Sequence, residues 1–484
     1  MSPDQENHVT ADSGATADET AEVTQVEVQV RVSRFRVRRH TGETAEGTQV
    51  ELPAAPDVPA ADVPSELLAQ SLGQYFQAWR LRIRSGDSGI LPVIGGIVLV
   101  AVVFQIVTPE HSFLRPSNLV FIFGLSTVYM VLAMAETVVL LLAEIDLSVG
   151  AVALIGGTIA FKLVQQPGPD WPWWAGILAA LAICGVIGAL QGALTSRLKI
   201  PSFVVTLAGF LLFSGILIIV LGGADGFVNL DSSETNQRII YDLVQGNIVP
   251  VASWVLLAVA VVAVGTALWL RAASRRRQGL VAPPVGLTVV RIALVAVIGV
   301  VVVLICNVNR GTSLVTVQGL PWVVPIVLVL LGAWTVLLER TRFGRYVYAI
   351  GGNPEAARRA GVSLVGIRTW SFALCSATAG LGGILLGSFF YGEYSTNTAD
   401  PGQLVLYTVA AAVIGGVSLF GGRGKAIHGV LGGLLIGAIA YGVSLLNLGE
   451  YATPMEYILP GAVLLAAVLI DTQSRRGTGS VTRV

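Results

Sequence analysis

The sequence predicts an all-α, polytopic membrane protein with about 10–12 transmembrane helices, and three observations carry that prediction. First, 54% of the 484 residues are hydrophobic and only 12% are charged, with a mean hydropathy of +0.74. Soluble domains carry about 25% charged residues. Second, the charges crowd into the N-terminal 85 residues, leaving too little polar surface for the remainder to form soluble domains. Third, apolar stretches of spanning length, about 20 residues, recur from Gly89 almost to the end. An ordinary soluble enzyme is thereby excluded. The formal net charge of zero points to no partner, and nothing suggests nucleic-acid binding. Cys184, Cys306 and Cys375 sit in apolar stretches without metal-ligand or C-x-x-C spacing. They read as small hydrophobes in packed helices, and no metal or cofactor is expected.

Residues 1–64 are polar, rich in Ala, Glu and Thr and punctuated by Pro. They lack the apolar core of a signal peptide and read as a disordered cytoplasmic tail. Val26, Val28, Val30 and Val32 alternate with polar residues before a basic run at Arg34–Arg39, a strand pattern with no clear partner strand. Over 65–85, a Ser65 cap, an apolar face from Leu67 to Trp79 and a closing Arg80, Arg82 and Arg84 predict an amphipathic helix on the membrane surface. The membrane domain then runs over 86–474, and 475–484 form a short cytoplasmic tail.

Within that domain the predicted spans are roughly 89–108, 118–141, 145–162, 173–194, 202–222, 250–270, 286–306, 321–338, 367–390, 404–420, 427–447 and 455–471. Basic residues near their ends collect on one side, from Arg80, Arg197 and Lys199 through Arg271–Arg277, Arg340, Arg342, Arg345, Arg358, Arg359 and Arg368 to Arg423, Lys425, Arg475 and Arg476. The other side holds Arg115, Lys162, Arg238 and Arg310. The asymmetry predicts both termini in the cytoplasm. Only three or four residues separate the second and third spans, so a broken or re-entrant helix is an alternative there. Outer loops at 223–249 and 391–403 are polar, and the long inner loop is 339–366.

Three signals bear on function. The first is Glu144-Ile145-Asp146-Leu147-Ser148-Val149-Gly150, two carboxylates wedged between apolar runs. Asp146 or Ser148 either caps the next helix or belongs to a substrate pathway. Glu136 lies ten residues before Asp146 in a run with no other charge, and it must face a partner, a polar cavity or a helix end. The second is the inner loop. Asn353 is a good N-cap, Pro354 suits the first helical position and Glu355 the positive helix end. Ala356, Ala357, Arg358 and Arg359 continue the helix and Gly361 ends it. Such a capped helix reads as a docking knob for a cytoplasmic partner, against the plainer reading of a surface anchor. The third is the crowding of glycines from Gly380 to Gly437, which suits closely packed membrane helices. Gly421–Ala426 lacks phosphate-loop spacing and has no preceding strand, so no nucleotide site is read there. His111 and His428 are isolated.

Ala143–Gly150 resembles the signature of monosaccharide ABC-transporter permeases of the ribose/xylose/galactose branch, and its Ala-Glu start is most similar to xylose-type permeases. Similar motifs follow in order at Lys199–Leu207, at Phe343-Gly344-Arg345 through Gly361, and at Ala411–Gly422, so the resemblance spans about residues 75–475. Two departures stand out. Val405–Ala410 replaces the Glu-Leu-Asp-Ala-Ile-Ala common in the family, and Glu136 stands where Met is common.

The resemblance implies a homodimeric permease of the bacterial inner membrane that receives sugar from an extracytoplasmic binding protein and is driven by cytoplasmic ABC ATPase subunits. The Asn353–Gly361 helix would be the element that docks on them. The expected function is translocation of a monosaccharide, xylose or a similar pentose, with ATP hydrolysed on a separate chain. The expected pathway residues are Glu136, Thr137, Glu144, Asp146, Ser148 and Thr206. The alternatives are an H⁺-coupled secondary transporter using Glu136 and Asp146, an ABC permease for a branched-chain amino acid or nucleoside, and a membrane-embedded enzyme; the sparse acids and lone histidines speak against the last.

Overall fold

The computed structural model describes residues 89–223, 225–279, 282–311, 315–395 and 400–478, with the isolated positions 73, 77 and 80; side chains are described to residue 469. The tail expected at 1–64 and almost all of the helix expected at 65–85 lie outside these residues. Twelve apolar helices match the twelve predicted spans in order: α1 (Leu91–Val107), α2 (Pro116–Leu140), α3 (Val149–Val164), α4 (Trp173–Leu198), α5 (Ser202–Leu221), α7 (Pro250–Arg277), α8 (Val285–Cys306), α9 (Val323–Arg340), α12 (Leu364–Phe389), α13 (Pro401–Ile414), α14 (Ala426–Ser444) and α15 (Ala452–Thr478). Among the described residues nine helical segments are long and apolar enough to cross a membrane, while α1, α3 and α13 are apolar but shorter.

The remaining helices are polar or amphipathic: α6 (Thr235–Gln245), α10 (Arg342–Gly352) and α11 (Pro354–Arg359). Strands are limited to two short antiparallel pairs among the described residues. Strand β1 (Phe227–Asn229) pairs with β4 (Glu393–Ser395), and β2 (Asn247–Ile248) with β3 (Leu320–Pro321). The predominantly helical class holds.

Two boundaries differ from the sequence reading because the chain breaks or turns inside an apolar run. The third span starts at Val149 rather than 145, because residues 141–148 form a break, as the broken-helix alternative allowed. The tenth stops at Ile414 rather than 420, because Gly415 and Gly416 turn the chain, Gly416 at φ 109°. The apolar Val417–Phe420 segment therefore lies in a turn.

Helices α2, α12 and α14 are buried over most of their length, whereas α7, α8 and α15 expose mostly apolar side chains. An apolar exterior over helices of this length is what a hydrocarbon solvent requires. Glycine lets the central helices meet backbone to backbone. A Cβ at Gly383 of α12 would overlap the carbonyl oxygen of Ala153 in α3, and one at Gly433 of α14 would overlap the backbone of Met130 in α2. The glycine crowding read from the sequence is thus packing. It also presses α2, α3, α4 and α12 around the 141–148 break.

Candidate functional site

The break begins where α2 ends. Ala143 takes a left-handed conformation at φ 60°, and the Glu144 N–H donates back to the Val139 carbonyl at 3.2 Å, closing the helix in a Schellman-like turn. The chain then runs without helical hydrogen bonds until Val149. Non-helical backbone inside a membrane bundle needs partners for its polar groups, and neighbouring helices provide them. The Ile145 N–H donates to Ser202 Oγ of α5 at 3.3 Å, and the Ile145 carbonyl accepts from Thr206 Oγ1 at 3.2 Å. The Asp146 N–H donates to Glu136 Oε1 of α2 at 3.1 Å.

Side chains complete a buried cluster. Asp146 Oδ1 accepts from both the N–H and the hydroxyl of Ser148, at 2.9 and 2.6 Å. With its one proton committed there, Ser148 Oγ accepts from Gln191 Nε2 of α4 at 2.9 Å. The Cys375 thiol of α12 lies 3.9 Å from Asp146 Oδ2 and 4.0 Å from Glu136 Oε2. Glu136, Asp146, Ser148 and Thr206 are all 0% exposed. Gln191 sits about two turns before the end of α4 and Cys375 about three turns into α12, so the cluster lies well inside the bundle. Among the described residues no ion pair involves Glu136 or Asp146.

Of the six residues expected along a pathway, Glu136, Asp146 and Ser148 share this cluster, and Thr206 joins it through Ile145. Thr137 is buried but donates only within its own helix, to the Ala133 carbonyl at 2.6 Å. Glu144 points elsewhere and pairs with Arg368 of α12 at 3.1 Å. Ser148 is the N-cap of α3 but makes no side-chain cap bond, and Asp146 instead accepts from the N–H of Ser148 just before the helix. Gln191, Ser202, Arg368 and Cys375 were not singled out as site residues. Gln191 and Arg368 carry a visible signal, being polar residues within apolar runs. Cys375 was read as packing and carries none.

Beside the break lies the second candidate element. Thr341 Oγ1 caps α10 by accepting from Gly344 N, and α10 buries Gly344, Val347 and Ile350. Asn353 Oδ1 then caps α11, accepting from Ala356 N at 3.0 Å; Pro354 takes the first helical position and Gly361 leaves the helix at φ 82°. These are the cap and stop read from the sequence. Glu355 pairs with Arg358 at 2.8 Å and Arg359 at 3.4 Å, all three exposed, and the hydrogen bond from Arg358 holds the Glu355 carboxyl below its usual range. The Leu141 carbonyl in the break accepts from Gly422 N at 2.9 Å, and Tyr348 of α10 donates to the Gly424 carbonyl at 2.7 Å. The α10 helix, the α13–α14 turn and the break therefore form one contiguous region.

Residues 118–468 match a protein family described as "Branched-chain amino acid transport system / permease component". The chain belongs to that family. It is 31% identical to the xylose transport system permease protein XylH of Haemophilus influenzae over 82% of this chain and 99% of that protein. It is 30% identical to XylH of Escherichia coli K12, covering 81% and 94%, and 27% identical to the ribose import permease protein RbsC of the same organism, covering 83% and 97%. No solved structure matches the chain. These relatives bear out the resemblance to ribose/xylose-type permeases, and the break and the α10–α11 arm both fall inside the family match.

Proposed function

We propose that this chain is the membrane subunit of an ATP-driven importer that brings a monosaccharide, most specifically xylose or a similar pentose, into the cytoplasm. The observation that carries the proposal is the nearly end-to-end match to two xylose permeases. The described helix ends support the rest. Helix α11 is a short, doubly capped element carrying exposed charges, and its geometry suits docking on a cytoplasmic ABC ATPase. The positive-inside asymmetry supports a reading with α11 and both termini on the cytoplasmic side, residues 86–474 as the permease domain and α6 on the face that would meet a sugar-binding protein. A second copy of the chain completes the assembly.

In this reading ATP-driven closure of the ATPase pair moves α11, and the spans alternate between outward- and inward-open states. The buried cluster of Glu136, Asp146, Ser148 and Thr206 is closed to solvent and suits a gate over the pathway, because opening it frees hydroxyl and carboxyl groups for sugar hydroxyls. Purification of the tagged chain from its native membrane tests the proposal. It should bring down an ATPase and a sugar-binding protein, with ATP hydrolysis stimulated by pentose. Changing Glu355 and Arg358 together should abolish uptake without loss of membrane insertion, and intact uptake would remove α11 as the dock.

The two buried carboxyls favour one second reading, an H⁺-coupled secondary transporter. A chain that purifies alone and moves solute under a proton gradient would establish it.

A further inference from the structure

Helix α12 starts only a few residues beyond α11, and the connection is tight. The Val362 N–H donates to the Ala357 carbonyl at 3.1 Å, the Gly361 N–H to the Arg358 carbonyl at 3.0 Å, and Ser363 Oγ caps α12 by accepting from Gly366 N. Ala357 is buried, which holds α11 against the body. A displacement of α11 is therefore passed to the first turns of α12. Arg368 and Cys375 lie seven residues apart on α12 and so share a face. That face meets the break at two places, Arg368 at Glu144 and Cys375 at Asp146. The side chains of the Arg368–Glu144 pair are only 24% and 12% exposed, unlike the other five ion pairs among the described residues. Partial removal from water weakens the screening of the pair, and loss of either partner leaves the other charge poorly compensated. Glu144 is two residues from Asp146, whose N–H is held by Glu136 and whose carboxyl orders Ser148.

We infer that the Arg368–Glu144 ion pair is the link through which movement of α11 reaches the buried cluster, making both residues positioning residues of the transport step rather than contacts of the sugar. The inference rests on α11 being the ATPase dock, and it assigns Glu144 a different task from the one its motif suggests. Without the charge pair, α12 would still move with α11 but would slide past the break, and ATP hydrolysis would no longer be matched by opening of the cluster.

The test uses the complete importer in vesicles and compares E144Q, R368Q, R368K, the charge swap E144R/R368E, and the α11 variant E355A/R358A. Three quantities are read: ATPase retained on purification, ATP hydrolysed, and sugar taken up per ATP. E144Q and R368Q should keep the ATPase bound and hydrolysing, yet lower uptake per ATP by roughly tenfold or more. R368K or the charge swap should restore most of it, whereas an ion pair that only stabilised the fold would change the amount of assembled importer and leave uptake per ATP intact. Wild-type uptake per ATP in both single variants overturns the link, as does loss of the ATPase from them or failure of both R368K and the swap to recover. Normal assembly and uptake by E355A/R358A would instead overturn the dock, a separate failure.

Discussion

Asp146→Ala is the perturbation that most directly probes how the break is held. In the native chain one oxygen, Asp146 Oδ1, satisfies two donors, the Ser148 N–H at 2.9 Å and the Ser148 hydroxyl at 2.6 Å. Truncation leaves both without that acceptor in a site that is 0% exposed. A buried donor left unsatisfied costs about 1–3 kcal/mol, so the pair sets a limit of about 2–6 kcal/mol. The hydroxyl has an alternative, since Gln191 Oε1 lies 3.1 Å away. The backbone N–H has none of comparable geometry, so the expected loss is about 1–4 kcal/mol. Asp146→Asn keeps the accepting oxygen and should lose well under half of that. The free thiols Cys184, Cys306 and Cys375 are all buried, so a thiol-reactive dye reports thermal unfolding of the detergent-solubilised protein. The unfolding midpoint should fall in the order wild type, Asn, Ala. Equal midpoints for Ala and wild type, or an Asn variant as weak as Ala, would refute the hydrogen-bond account of the break.

Three further outcomes follow from the same geometry. Gly383→Val should prevent the α3–α12 contact, because even its Cβ would overlap the Ala153 carbonyl, and the yield of folded protein on gel filtration should collapse. Asn353→Ala should destabilise α11 by about 1 kcal/mol through loss of its cap, raising hydrogen exchange at Ala356 while the spans remain protected. Glu355 has a lowered carboxyl titration in the folded chain because Arg358 donates to it. Its helix contribution is therefore complete above the ordinary glutamate value and is lost only as pH falls through the lowered folded one. Titration of that carboxyl by isotope-edited NMR should give a midpoint below ordinary glutamate, and R358A should bring it back up.

What the sequence discloses follows from how local each determinant is. The apolar runs set twelve helices in the right order because spanning length is a property of contiguous residues. Helix α11 was equally legible, since Asn353, Pro354 and Gly361 act on their immediate neighbours. Helix α10 was missed, although Phe343, Val347 and Ile350 carry its spacing, because polar residues between them hide it from an average over apolar runs. The end of α13 was misread for a related reason: hydropathy continues through Val417–Phe420, while a left-handed Gly416 decides the turn. At the candidate site, Glu136, Asp146 and Ser148 stood out as polar groups in an apolar run. Their partners did not. Gln191 is 43 residues from Ser148 and Cys375 is 239 from Glu136, and no local pattern announces such a contact. Glu144 shows the opposite limit, since its place in a motif suggested a shared role with Asp146, while its side chain turns away to Arg368.

The central proposal, that this chain moves a sugar at the expense of ATP, is tested most directly by reconstituting it in sealed vesicles with the ATPase and sugar-binding protein expected to co-purify with it. Accumulation of labelled pentose would be followed with and without ATP. Accumulation that requires ATP and binding protein, and is indifferent to collapse of the proton gradient, is the predicted result. Accumulation by the chain alone that needs no ATP and disappears with the proton gradient would contradict it.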